Sequence, residues 1–123
     1  MKTIETKKAP GAIGPYSQGK LVGKLLFTSG QIPADPATGD LVEGIAAQTE
    51  QCCLNVKAII EEAGGQIENT VKTLCFLSDM ADFAAFNEVY AHYFTGKPAR
   101  SCVAVKGLPK GALVEIEAIV EVQ

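Results

Sequence analysis

Apolar and polar positions alternate in blocks that change period along the chain. Leu21-Val22 and Leu25-Leu26-Phe27-Thr28 flank Gly23-Lys24, the pattern of a β-hairpin closed by a two-residue turn that opens on glycine. Gly30 breaks the second strand, and Pro33, Pro36 and Thr38-Gly39-Asp40 mark a loop, so Ser29-Gly30-Gln31 falls where a strand meets a loop. From Ile45 to Ala63 the residues Ile45, Cys52, Val56, Ile59, Ile60 and Ala63 recur at helical spacing, and Gly64-Gly65 supplies the stop. Val71 to Leu77 is short, β-branched or apolar, and predicts a strand buried on at least part of both faces. Asp79 is the expected N-cap of a second helix, with Asp82 in its first turn and Phe83, Phe86, Tyr90, Tyr93 and Phe94 as the inward stripe. The runs Ser101–Val105 and Leu113–Val120 alternate as two closing strands.

The order ββ-α-β-α-ββ predicts an α+β fold in which both helices pack on one face of a mixed β-sheet. The other face then needs a cover. Residues 1–123 make one domain by length, and the 47% hydrophobic share is high for so small a chain, which points to a further face buried between copies. A net charge of -3, with no lysine run longer than Lys7-Lys8, argues against a nucleic-acid surface. The first eight residues lack the apolar stretch of a signal peptide and no run approaches a membrane span, so a cytoplasmic protein with no membrane partner is expected. Adjacent Cys52-Cys53, with Cys75 and Cys102, fits neither a disulfide framework nor a zinc site, and no metal is expected. With His92 the single histidine, a Ser-His or Cys-His nucleophilic pair is disfavoured too.

One feature of composition is chemically pointed. Ten cations are lysine and one is arginine, Arg100, behind Pro98-Ala99 at the head of a strand. The planar fork of arginine is needed chiefly where a carboxylate or phosphate is held in fixed orientation. Glu115 and Glu117 share a face of the last strand, and pairing of the last two strands is expected to bring arginine and glutamate together. A solvated strand face with an incidental ion pair is the alternative. Cys102, two residues after Arg100, is expected on the same face and in the same cleft, as a contact and not a nucleophile, because no base is in view.

Three stretches resemble the Rid family of reactive-intermediate deaminases, the YjgF-like proteins also called endoribonuclease L-PSP. They are Ala12-Ile13-Gly14-Pro15-Tyr16-Ser17-Gln18, Phe27-Thr28-Ser29-Gly30-Gln31-Ile32-Pro33, and Pro98-Ala99-Arg100-Ser101-Cys102-Val103 continuing into Leu108-Pro109-Lys110 and Val114-Glu115-Ile116-Glu117-Ala118. The resemblance implies a chorismate-mutase-like homotrimer with clefts between subunits. It implies hydrolysis of 2-imino and enamine acids such as 2-aminoacrylate, 2-iminopropanoate and 2-iminobutanoate to 2-oxo acids and ammonia, with no cofactor. By that match Arg100 holds the substrate carboxylate and Glu115, ahead of Glu117, handles protons. Tyr16 contributes a hydroxyl or lines the cleft, and Ser29, Gly30, Asn87 and Cys102 contact substrate. Arg100 and Glu115 are expected from one chain, and some of Tyr16, Ser29 and Asn87 from its neighbour. The chain departs from the pattern at Thr95-Gly96-Lys97-Pro98-Ala99, which is several residues short, with Lys97 where a bulky apolar residue is usual. Two other functions remain open on the sequence: an endoribonuclease or translation inhibitor, for which one histidine and one arginine are poor equipment, and a non-catalytic metabolite-binding regulator.

Overall fold

A computed structural model describes residues 1–123 throughout. Gly23 adopts φ +59, a left-handed conformation that costs glycine little, and the chain reverses there as the Gly-Lys dipeptide predicts. β2 (Gly19–Val22) and β3 (Leu25–Thr28) therefore pair antiparallel, with Val22 opposite Leu25. A strand the sequence pattern did not suggest, β1 (Lys2–Ile4), adds antiparallel to β2. Its three residues are too few for alternation to be visible.

The remaining elements are α1 (Ile45–Glu62), β4 (Thr70–Leu77), α2 (Phe83–Tyr93), β5 (Ala99–Ala104) and β6 (Val114–Glu121). Gly64, at φ +86, stops α1 where the glycine pair was expected to. Asp79 does cap a helical start, accepting from Ala81 N at 2.9 Å, but the turn it caps is the 3₁₀ segment Met80–Asp82 that leads into α2.

The sheet runs β1-β2-β3-β6-β4-β5, and here one expectation is overturned. β5 does not pair with β6. It pairs parallel with β4, while β6 inserts antiparallel between β3 and β4. The reason is the connection: β4-α2-β5 is a strand-helix-strand unit, which returns the chain parallel to its start, whereas β6 arrives from a long loop and is free to take the central slot.

The two faces of the sheet differ in character. Along β6, Val114, Ile116, Ala118 and Val120 are buried while Glu115, Glu117 and Ile119 are only partly covered. The buried set meets Cys52, Val56, Ile59 and Ile60 of α1 and Phe86 of α2 in one core. Each large core side chain contributes about 1.5–3 kcal/mol by leaving water. On the opposite face Val22, Leu25, Phe27 and Val103 stay 50%, 39%, 42% and 48% exposed. These values mark an apolar sheet face without an internal partner. No helix is long and apolar enough to cross a membrane.

Candidate functional site

The strand-end glycine and the last strand make the first cluster. β3 ends at Thr28, and the chain continues alongside β6 through a bridge between Gln31 and Ile116, with reciprocal backbone bonds of 2.8 and 3.1 Å. Gly30 thereby lies flat against the Glu115 side chain, and a methyl group at position 30 would collide with the carboxylate. Glycine admits that approach without displacing the carboxylate. Ser29 is fixed beside it: its N–H donates to Gln18 O at 2.8 Å and its hydroxyl donates to Ser17 O. Tyr16 is half exposed, and its phenol oxygen accepts from Ile13 N at 3.4 Å, which curls the Gly-Pro-Tyr turn around the ring. Tyr16, Gly30 and Gln31 line a concavity of about 290 Å³.

Glu115 is half-buried. Burial, and after it the neighbouring charge of Glu117, push its carboxyl above the ordinary carboxylate range. It holds a proton to higher pH than a free glutamate, which suits a group that must give one up.

Three polar residues of α1 brace this cluster, and sequence reasoning missed them. Asn55 donates to Ile32 O at 3.1 Å and Ala34 O at 3.0 Å. Gln48 donates to Val42 O at 3.0 Å and accepts from Leu113 N at 2.8 Å. The Cys52 thiol donates to Gln31 O at 3.1 Å. Asn55 is fully buried beside the apolar stripe of α1, and a polar residue there was the available signal.

Arg100 anchors the second cluster. It sits on β5 opposite Thr73 of β4, and its Nη1 donates to Asn87 Oδ1 of α2 at 2.7 Å. Its guanidinium carbon lies 5.5, 5.8 and 4.9 Å from the ring centres of Phe83, Phe86 and Tyr90. Cys102 follows on the same face, opposite Cys75, as the alternation predicts. Burial raises the Cys102 thiol above its ordinary range although Arg100 pulls it down, so it stays protonated and is a poor nucleophile.

The two clusters are not one constellation. Thr73, beside Arg100, is buried under the helices, and three residues on along β4 Phe76 stands opposite Glu115. An odd step along a strand reverses the face, so Arg100 points to the helix side and Glu115 to the open side. The expectation that Arg100 and Glu115 meet within a chain is thereby overturned, and of Tyr16, Ser29 and Asn87, some of which were expected from the neighbour's side, Asn87 lies on the side of Arg100. The structure groups Arg100 with Asn87 and Cys102, and sets Glu115 against Gly30, which follows Ser29 in the chain and shares a concavity with Tyr16.

The chain matches known proteins over its whole length. Residues 6–122 fit the family model described as Endoribonuclease L-PSP. A 2-iminobutanoate/2-iminopropanoate deaminase of Salmonella typhimurium is 52% identical over 122 residues, covering 96% of this chain and 95% of that protein. Among solved structures, Escherichia coli TdcF with bound serine superposes with a TM-score of 0.96 at 46% identity, covering 100% of both chains. The YjgF gene product of E. coli gives a TM-score of 0.96 at 48% identity, again over 100% of both chains.

Proposed function

The chain belongs to the endoribonuclease L-PSP family, the YjgF-like Rid proteins, and we propose that it hydrolyses small 2-imino acids and their enamine tautomers to 2-oxo acids and ammonia. The observation that carries this reading is the division of the candidate residues into two complementary halves on opposite sheet faces. One half offers a guanidinium for a carboxylate, and the other a carboxyl group with a raised proton affinity. Neither half suffices alone.

A second copy supplies what each lacks. The apolar face carrying Glu115 needs a cover, and β5, which carries Arg100, is an edge strand. Seating the β5 edge of one copy against the Glu115 face of the next covers apolar surface and closes a cleft at the same contact. A head-to-tail contact whose rotation closes makes a ring, and the ring proposed for this chain has three subunits, the number the family resemblance implies.

In the completed cleft Arg100 pairs with the substrate carboxylate and so fixes the adjacent C=N carbon. Asn87 orients the fork, and Cys102 and Tyr16 line the walls. Water adds to the imine carbon, and the nitrogen takes up protons as the C–N bond breaks and the carbonyl forms. Glu115 of the neighbouring copy gives a proton to nitrogen and recovers one from the added water. Gly30 leaves room for that carboxyl to reach the substrate. Water is the only co-reactant: R–C(=NH)–COO⁻ + H₂O gives R–CO–COO⁻ + NH₃.

The test is ammonia release from 2-iminobutanoate generated in place by an amino-acid oxidase acting on 2-aminobutyrate. Catalytic amounts of the protein should accelerate release well above the buffer rate, and release at the buffer rate would refute the proposal.

A further inference from the structure

Arg100 is the single arginine of the chain, and its surroundings are more elaborate than a surface cation requires. Three aromatic faces from α2 stand around the guanidinium, the nearest being Tyr90 at 4.9 Å. Tyr90 is itself pinned on two sides. Its ring stacks on Phe94 at 4.6 Å between centres, and its hydroxyl shares a 2.7 Å hydrogen bond with Thr73, the residue opposite Arg100 in the β4–β5 register. The cation and the tether of its nearest ring thus occupy one row of the sheet. Burial pushes the Tyr90 phenol up to about 12, so the ring keeps its neutral, electron-rich face throughout the working pH range.

We propose that Tyr90, with Phe83 and Phe86, forms a positioning cage for Arg100: the rings hold the guanidinium plane, Asn87 takes one donor of the fork, and the remaining donors are aimed at the ligand carboxylate. This rests on the reading that Arg100 binds that carboxylate, and it adds which residues set its aim. The cage resists rotation of a long side chain that would otherwise lose rotamer freedom on binding, so its loss falls on affinity and much less on the chemical step.

The sole arginine gives a direct probe, because its Nε–Hε group yields a single side-chain resonance in a ¹⁵N-labelled sample. In the wild-type protein that resonance should be displaced by ring currents, and addition of 2-oxobutanoate, the stable product analogue, should move it further and report a Kd. Tyr90→Leu should shift the free resonance toward its unfolded position and weaken 2-oxobutanoate by roughly 3- to 30-fold, with KM following and kcat nearly unchanged. Tyr90→Phe keeps the ring and should restore resonance, KM and Kd to within about twofold. Should Tyr90→Leu fail to fold, Phe83→Leu, at the half-buried rim of the cage, carries the same measurement with the same expected direction. A folded Tyr90→Leu with wild-type resonance and Kd would overturn the cage, and so would Tyr90→Phe matching Tyr90→Leu in loss. If 2-oxobutanoate leaves the wild-type resonance unmoved, the carboxylate reading of Arg100 fails instead, and the cage is then judged on the displacement of the free resonance alone.

Discussion

The arginine half and the glutamate half of the candidate site are built by different means. Arg100 lies on an edge strand, but its side chain turns inward against a helix, where three rings and an amide hold it. Glu115 lies on a central strand, yet its side chain faces the open side, against a glycine at the start of a loop. The first half is ordered by aromatic packing from α2. The second is ordered by backbone geometry, braced from below by Asn55, Gln48 and Cys52 of α1. A site divided in this way separates the group that selects the substrate from the group that moves protons, and leaves assembly to join them.

If that division of labour holds, the halves should fail differently. The largest loss is expected at the proton-handling half: Glu115→Gln should lower kcat by roughly 10²- to 10⁴-fold in initial-rate ammonia assays, with KM nearly unchanged. Glu117 lies on the same face, but the side chain packed against Gly30 is that of Glu115, and the Glu117→Gln variant should retain most of the turnover. A reversed order would make Glu117 the catalytic carboxyl. The selecting half should lose less. Arg100→Lys keeps the charge but gives up the planar fork and one charge-assisted bond, about 1.5–3 kcal/mol or roughly 10- to 160-fold in kcat/KM. Wild-type kinetics for that variant would mean that the fork is not holding the carboxylate.

The smallest effect sharpens the electrostatics of the glutamate half. The Glu115 carboxyl is raised first by burial and then by Glu117. A raised pKa keeps the acid form present to higher pH, so activity that needs the acid falls as pH rises through that value. Glu117→Gln removes the second cause and leaves the first. The alkaline limb of the kcat profile should therefore move to lower pH without disappearing, and an unmoved or upward-shifted limb would place the titration elsewhere.

Much of the fold was legible because local chemistry decided it. The Gly23-Lys24 turn, the glycine stop after α1 and the aromatic stripe of α2 each follow from backbone conformation or period. Strand order was not legible. Arg100 and Glu115 are close in sequence on consecutive strands, which suggested that those strands pair, but the β4-α2-β5 crossover and the long turn through Leu108-Pro109-Lys110 send them to separate slots. Pairing depends on which strand completes the buried core, a non-local choice that alternation does not encode. For the same reason the individual site residues could be named while their grouping could not. Asn87 was weighed as a residue of the neighbouring chain, and only the packing of α2 on β5 places it beside Arg100.

The central claim is that a working cleft takes its arginine from one copy and its glutamate from the next. Arg100→Ala and Glu115→Gln chains, each inactive alone, can be unfolded together in equal amounts and refolded into mixed assemblies. In a head-to-tail ring a cleft is intact when its arginine side comes from a Glu115→Gln chain and its glutamate side from an Arg100→Ala chain, so random mixing should restore about one quarter of wild-type activity. A chain carrying both substitutions, mixed with either single variant, should restore none. Activity near one quarter is the predicted result, and mixed assemblies that remain as inactive as their parents would contradict the shared site.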